Sequence, residues 1–158
     1  MKALFAGSFD PVTTGHLNLI MRASRMFDEV VVAVMVNSAK KTALTKEKRT
    51  ELLKKCTVHL GNVKIVEEDG LTVDAAWKHD CGVLVRGIRN GKDTDYEIEL
   101  EYYNKRLSPA LETVYLSTKP ELMHVSSTRV KELILFGRDV KGLVPELIRE
   151  EVEELLSK

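Results

Sequence analysis

The chain has 158 residues, with 24 Lys plus Arg, 24 Asp plus Glu and a formal net charge of 0 at pH 7. This length suits a single domain, 1–158, that buries a core of ordinary size. The balanced charge excludes a global field that would draw the chain to nucleic acid or to an anionic membrane, so any anion-binding site must be local. Apolar stretches stay well short of the about 20 residues that span a bilayer.

The cysteines give a prediction about the compartment. Cys56 and Cys81 do not have the spacing of metal ligands, and a chain of this size does not need a disulfide for stability. The N-terminal sequence MKALFAGSFD contains neither an apolar signal segment nor a cleavage site. We therefore expect a cytoplasmic protein whose thiols are reduced.

Strand and helix patterns alternate along the chain. The run 30–36 consists of apolar residues and is rich in valine, which is typical of a strand buried on both faces of a parallel sheet. Strands are predicted at 3–6, 30–36, 63–66, 83–85 and 113–116, and helices at 17–27, 46–57, 72–79, 93–107 and 127–136. The alternation predicts an α/β fold: a Rossmann-like, doubly wound, five-stranded parallel sheet with helices on both faces and a C-terminal helix.

Two helical stripes are more apolar than one small sheet requires. The C-terminal helix follows Pro145, and we expect it to pack on the domain edge or on a neighbouring subunit. Both stripes together predict a homo-oligomer. The first stripe contains Tyr96, Leu100, Tyr103 and Leu107, and the C-terminal one contains Leu147, Ile148, Val152, Leu155 and Leu156.

The segment GSFDPVTTGH at 7–16 connects the first strand to the first helix. Thr13 or Thr14 is predicted to cap that helix, so that His16 lies in its first turn. A helix N-terminus has free N–H groups and a partial positive charge, and Gly7 lets a ligand approach the backbone, so this geometry suits a phosphate. His16 can donate to a phosphate oxygen; the alternative is a capping or core histidine.

Two common phosphate-binding motifs are excluded. The first strand-to-helix turn has the single glycine Gly7, whereas an NAD or FAD site has G-x-G-x-x-G. The stretch GIRNGKD at 87–93 resembles a P-loop, but its glycines are one residue too close. Asp93 also stands where a Ser or Thr must bind magnesium. We therefore expect neither a dinucleotide-binding protein nor a switch-type NTPase.

Two arginines follow the strand predicted at 83–85. Ligands of open α/β sheets bind outside the carboxyl ends of the strands, which is where Arg86 and Arg89 lie. The planar guanidinium group suits bidentate contacts with phosphate. The alternative is a pair of surface arginines bound to helix carboxylates.

A second helix start contains three adjacent hydroxyl side chains, Ser126, Ser127 and Thr128. One hydroxyl is enough to cap a helix, and the others can offer donors to a bound polyphosphate at the positive end of the helix dipole. The alternative is capping alone. Gly137 is predicted to end this helix.

Two further charged residues belong to the predicted crevice. Lys40 lies in the polar loop after the longest strand, on the same side of the sheet as His16, and the alternative is a solvated loop lysine. Asp10 can orient a magnesium ion or cap its own turn, and we favour the capping role.

The motif at 7–16 resembles the (H/T)xGH signature of the nucleotidyltransferase superfamily. Its form, GSFDP followed by T-x-G-H, is similar to that of the bacterial phosphopantetheine adenylyltransferases. The loop NSAKK at 37–41, RGIR at 86–89 with DTDYE at 93–97, and VSST at 125–128 match the family in the same order, so the resemblance extends over essentially the whole chain. It implies transfer of AMP from ATP to 4′-phosphopantetheine in coenzyme A biosynthesis, giving dephospho-coenzyme A and pyrophosphate, by a cytoplasmic homohexamer.

The resemblance also implies roles for individual residues. His16, Lys40 and Arg89 would be catalytic: His16 at the α-phosphate, Lys40 bridging the ATP and acceptor phosphates, and Arg89 at the β and γ phosphates. Ser8, Lys40, Thr72 and Arg86 would bind the acceptor. The ATP site would contain Ser8, Phe9, His16, Gly87, Ile88, Arg89, Glu97, Leu122, Met123, His124, Val125, Ser126, Ser127 and Thr128.

This constellation contains no nucleophile paired with a base. It suits direct in-line attack, in which the protein positions the reactants and neutralises charge. Magnesium would be carried by the ATP phosphates without a protein ligand, because it keeps waters and needs few protein ligands. Two other functions stay open. One is a related nucleotidyltransferase that makes NAD or activates a polyol phosphate, and the other is a nucleotide-binding sensor without catalysis.

Overall fold

The protein was analysed as a computed structural model that describes residues 1–36 and 41–157. Five parallel strands form one sheet in the order β3-β2-β1-β4-β5. Their bounds are β1 Lys2–Gly7, β2 Glu29–Val36, β3 Val63–Asp69, β4 Val83–Ile88 and β5 Glu112–Ser117. The predicted doubly wound sheet is confirmed. The chain builds outward from β1 to β3 and then crosses to β4, so the strand order reverses between β1 and β4.

Six helices connect or follow the strands in the described residues: α1 Thr14–Met26, α2 Lys46–Thr57, α3 Thr72–Lys78, α4 Gly91–Leu107, α5 Ser127–Leu135 and α6 Arg149–Leu156. Short 3₁₀ turns lie at Pro120–Leu122 and Glu146–Ile148. Helix α1 starts at Thr14 with Thr13 as its cap, one of the two predicted caps, and the Thr13 side chain accepts the His16 N–H at 3.3 Å. The apolar stripe begins at Leu17, inside the helix.

Alternate residues of the central strands pack on opposite sides of the sheet. Ala3 and Phe5 of β1 belong to the larger core cluster, which also contains residues of α1, α2, α5 and α6. Leu4 and Ala6 belong to the smaller cluster, together with residues of α3. Burial on both faces explains why the β2 sequence is continuously apolar rather than alternating.

Helix α6 packs on the edge of the domain, one of the two expected positions. Val152 is completely buried, and Glu151 pairs with Lys48 and Lys55 of α2 at 3.4 and 2.7 Å. Leu147 departs from the predicted apolar face. It lies in the 3₁₀ turn before α6 and is 73% exposed.

The apolar stripe of α4 is largely exposed. Tyr96, Tyr103 and Leu107 expose 58%, 54% and 61% of their surface, and among the residues of α4 it is Glu97 that is buried. The fold of one chain therefore leaves this stripe uncovered. The homo-oligomer stays a prediction.

Both cysteines are buried and free. Burial raises the pKa of each thiol to about 11. Within 1–36 and 41–157, no helix has the length and apolarity to cross a membrane, and no cluster of His, Cys, Asp and Glu could hold a metal ion.

Candidate functional site

A cleft of about 410 Å³ lies at the carboxyl ends of β1 and β4, where the strand order reverses. This is the position at which open α/β sheets bind their ligands, and the volume is that of a small-molecule site. Its wall contains most of the predicted residues: Ser8, Phe9, His16, Arg86, Gly87, Arg89, Glu97, Leu122, Val125, Ser126 and Ser127.

A smaller hollow of about 270 Å³ adjoins this cleft between the starts of α1 and α5. Ser8, Phe9, His16 and Ser127 are common to both walls. The hollow adds the predicted Thr128 together with Asp10, Lys41, Thr42 and Lys131.

Four of the predicted site residues that the structure describes are not brought to these walls. Ile88, Met123 and His124 line neither cavity. Thr72 begins α3 after β3, which β2 separates from β1, and it also lines neither cavity. Lys40 lies outside the described residues.

His16 presents one ring nitrogen to its own helix cap. The Thr13 N–H donates to His16 Nδ1 at 3.1 Å, so Nδ1 is an acceptor and the ring proton is on Nε2. Burial, together with the positive charge of Arg89, lowers the pKa of His16 to about 4. His16 therefore both caps the helix and lines the cleft, as a neutral ring whose Nε2–H is the available donor.

Phe9 fixes the position of the His16 ring. The two rings meet edge to face with their centroids 5.1 Å apart, and Phe9 itself is buried. The Phe9 ring occupies the space over Gly7, where an added Cβ would lie 3.1 Å from it. The missing side chain at Gly7 thus admits the Phe9 ring.

Both predicted phosphate-binding arginines pair with carboxylates of α4. Arg86 donates from Nε and Nη2 to the Glu97 carboxylate, each at 2.7 Å, and from Nη1 to the Ala6 carbonyl at 3.0 Å. Arg89 donates to Asp93 from Nε at 2.8 Å and from Nη2 at 3.2 Å. The hydrogen bond to Arg89 lowers the pKa of Asp93. Both arginines therefore line the cleft and are also bound to helix carboxylates, which was the alternative to phosphate binding.

The start of α5 has one capping hydroxyl and one bridging hydroxyl. Ser126 accepts the Arg129 N–H at 3.1 Å, whereas Ser127 Oγ donates to the Pro11 carbonyl at 2.7 Å and so ties α5 to the loop after β1. The main-chain N–H groups of Ser127 and Thr128 precede the first intrahelical bond, so this helix end can bind an anion.

Asp10 does not cap its own turn, the role favoured from the sequence, but joins the loop after β1 to two distant segments, residues 43–44 and α5. Its carboxylate is 5% exposed and accepts the N–H groups of Ala43 and Leu44 at 2.9 and 2.8 Å and Lys131 Nζ at 2.9 Å. Burial raises the pKa of Asp10, but these three partners outweigh burial and lower it below its ordinary value. Lys131 was not predicted as a site residue because nothing in the local sequence connects it with Asp10.

Gly87 allows α1 to approach β4 closely. A Cβ at this position would lie 2.3 Å from Leu19 Cδ1. Since α1 carries His16, this close packing brings the helix start with His16 next to the end of β4, which carries Arg86.

Comparison with known proteins identifies the family. The model of the cytidylyltransferase-like family matches residues 4–133. The chain belongs to this family. Similar curated relatives are named phosphopantetheine adenylyltransferase. The one from Streptococcus pneumoniae (strain CGSP14) is 49% identical over 150 residues, covering 94% of this chain and 93% of that protein. The one from Symbiobacterium thermophilum is 44% identical over 158 residues, covering 100% of this chain and 98% of that protein.

A solved structure supports the fold of this cytidylyltransferase-like chain. The crystal structure of a putative nicotinate-nucleotide adenylyltransferase from Vibrio parahaemolyticus superposes with a TM-score of 0.68, covering 99% of this chain and 95% of that one. Its sequence identity of 19% makes this a likeness of fold.

Chemically, the cleft of this cytidylyltransferase-like chain offers donors and positive charge. It combines a neutral imidazole N–H, two guanidinium groups and a helix N-terminus. The buried thiols, with raised pKa values, do not supply a thiolate nucleophile. Such a site can bind a polyphosphate and stabilise charge that develops during its cleavage.

Proposed function

We propose that the protein transfers AMP from ATP to 4′-phosphopantetheine and releases pyrophosphate, which makes it a phosphopantetheine adenylyltransferase of coenzyme A biosynthesis. The observation that carries this proposal is the convergence of His16, Arg86, Arg89 and the start of α5 on one cleft at the strand-order reversal. The names of relatives that are 44% and 49% identical support the choice of acceptor.

The reaction is a direct displacement at phosphorus. An oxygen of the acceptor phosphate forms a new bond to the α-phosphorus of ATP, while the bond between that phosphorus and the bridging oxygen to the β-phosphate breaks. The electron pair of the broken bond leaves with pyrophosphate. No general base is needed, because the attacking oxygen of the acceptor phosphate is already ionised at neutral pH. The His16 Nε2–H donates to a non-bridging α-phosphate oxygen and stabilises the charge that grows there.

Ligand binding gives the two arginines phosphate partners, beside or in place of their α4 carboxylates. Arg89, Ser127 and Thr128 hold the β and γ phosphates, and Arg86 with Ser8 holds the acceptor phosphate. Each guanidinium group keeps donors that its carboxylate does not use, so it can contact a phosphate while the α4 partner is still attached or after it has left. Lys40 bridges the two phosphate groups, and Thr72 contacts the pantetheine arm. Glu97, Leu122 and Val125 line the nucleotide side of the cleft.

Magnesium enters with ATP and neutralises phosphate charge. Its fit can be tested on Asp10, a carboxylate of the smaller hollow. The Asp10 oxygens are already engaged by Ala43, Leu44 and Lys131, so Asp10 is not free to bind a metal. This fits an ion that is coordinated by phosphate oxygens and water rather than by a protein cage.

Assembly and compartment belong to the same proposal. The exposed stripe of α4 supports a homo-oligomer, and the family resemblance supports a hexamer. The buried free thiols support a reducing, cytoplasmic setting. A monomeric mass by light scattering at working concentration would contradict the oligomer.

Pyrophosphate release with a panel of acceptors tests the proposed function. With ATP and magnesium, 4′-phosphopantetheine should give rapid release, and the mass of the product should be that of dephospho-coenzyme A. Nicotinate mononucleotide and a polyol phosphate should give little release. Faster turnover with nicotinate mononucleotide would contradict the acceptor, and ATP binding without pyrophosphate release would make the protein a sensor.

A further inference from the structure

Arg49 is a buried cation that forms no ion pair within the described residues, and its interaction with the exposed Glu47 carboxylate is only a weak Coulombic one. It belongs to α2, is 2% exposed and is the largest of the completely buried side chains. No ion pair joins its guanidinium group to a carboxylate in the described part of the chain, and residues 37–40 contain no Asp or Glu. The other arginines near the cleft, Arg86 and Arg89, both have such a partner.

The guanidinium group of Arg49 donates to main-chain carbonyls at the carboxyl edge of the sheet. Its Nη1 donates to the Ser8 carbonyl at 2.6 Å and to the Met35 carbonyl at 3.2 Å. Ser8 follows the last residue of β1, and Met35 lies near the end of β2. Arg49 Nε has no hydrogen-bond partner in the described structure.

A purely structural role does not require this arrangement. A buried charge without an opposite charge is costly, and an apolar side chain of similar size usually stabilises a core as well or better. What the charge adds is a positive potential at the strand ends, where the low dielectric strengthens its effect on a bound anion. The hydrogen bonds from Nη1 hold the Ser8 carbonyl in place beside the Met35 carbonyl.

The position of Ser8 is transmitted to the reacting groups. Ser8 lines both cavities, and the next residue, Phe9, packs its ring against His16. Arg49 therefore reaches the proposed α-phosphate donor through the chain Ser8, Phe9 and His16, without itself lining either cavity.

We propose that Arg49 is a positioning residue for adenylyl transfer, which fixes the Ser8 turn through its Nη1 hydrogen bonds and attracts the ATP polyphosphate with its buried positive charge. This inference rests on the proposed function for its effect on turnover. Its effect on anion binding can be measured separately.

Two substitutions separate the guanidinium geometry from the charge. Arg49→Lys keeps the charge and loses the guanidinium group that places Nη1 between the Ser8 and Met35 carbonyls, whereas Arg49→Met loses both. We expect both variants to lower kcat at least about tenfold, because displacing a positioned group by about 1 Å costs on the order of 10²-fold in rate. Only Arg49→Met should also weaken binding of inorganic pyrophosphate, by about tenfold in calorimetry, and reduce the salt dependence of that binding.

Arg149→Met is the matched control. Arg149 pairs with Glu146 and Glu153 at the start of α6 and lines neither cavity. This variant should change thermal stability without changing the kcat or the pyrophosphate affinity. A folded Arg49→Met protein with kcat and pyrophosphate affinity within about threefold of the parent would overturn the proposal.

A measurement on the unsubstituted protein covers the case in which the Arg49 variants do not fold. With arginine labelled with ¹⁵N, the buried Arg49 Nε–H should exchange slowly with solvent, and its resonance should shift as pyrophosphate saturates the cleft. An unchanged resonance at saturation would overturn the proposal. If wild-type protein binds pyrophosphate with these responses but does not adenylylate phosphopantetheine, the proposed function fails and the anion-binding role of Arg49 stands.

Discussion

The surroundings of His16 predict a loss of stability in mild acid. Burial, with a further contribution from Arg89, lowers the pKa of His16 from 6.5 to about 4 in the folded protein. In the unfolded chain this pKa returns to its ordinary value. Between these two values the unfolded state binds a proton that the folded state does not bind. The free energy of unfolding therefore falls as the pH falls from 6.5 towards 4, and above 6.5 His16 makes no such contribution.

The size of this effect follows from the two pKa values. Proton linkage gives a loss of about 2 kcal/mol at about pH 5 and about 3 kcal/mol at about pH 4, relative to neutral pH. His16→Gln removes the titrating ring. Urea unfolding of both proteins at about pH 7.5 and about pH 5 should therefore show a smaller loss for the variant, by about 2 kcal/mol. The other titrating groups contribute equally to the pH dependence of stability in both proteins, so their contributions cancel in this comparison.

An equal loss of stability in the two proteins would refute the assignment. It would mean that His16 titrates near its ordinary pKa and is charged in mild acid, so that the neutral Nε2–H donor would not be maintained. A ¹⁵N spectrum of the imidazole provides the control for tautomer: the proton should be on Nε2 and not on Nδ1, which accepts the Thr13 N–H.

Four further substitutions give three separate tests. Gly87→Ala places a Cβ against Leu19, so thermal unfolding should show a loss of about 1–3 kcal/mol, and an unchanged melting temperature would contradict the close packing of α1 on β4. Ser127→Ala should raise the KM for ATP and Arg86→Ala the KM for the acceptor, and steady-state kinetics would contradict this division if each variant changed both constants equally. His16→Ala should lower kcat by about 10²- to 10³-fold with little change in KM, and a near-normal kcat in a folded variant would reduce His16 to a helix cap.

The fold followed from the sequence because its signals are local. The valine-rich run of β2 carries the burial of a parallel strand in its composition, and the alternation of strand and helix patterns predicts the doubly wound sheet. The start of α1 was also predictable, because Thr13 is one of the two expected caps. The end of β4 was less accurate: the strand was expected to stop at 85, but it continues through Arg86 and Gly87 to Ile88 because it pairs with β5.

The candidate site was predictable where a motif marks the end of a strand or the start of a helix. Arg86 was expected after a strand, and His16 and Ser127 were expected at helix starts. All three line one cleft. The roles of Lys131 and Arg49 could not be predicted, because a cation on a helix normally belongs to a solvated face. Their partners lie far away in the sequence, and only the folded sheet edge brings them together.

The stereochemical course at the α-phosphorus tests the central claim most directly. ATP that is chiral at this phosphorus through sulfur substitution is incubated with magnesium, 4′-phosphopantetheine and the protein, and the configuration of the product is determined. Direct attack in the cleft predicts the thio analogue of dephospho-coenzyme A with inverted configuration. Retention would show an adenylyl-enzyme intermediate and contradict the mechanism, and absence of this product would contradict the function itself.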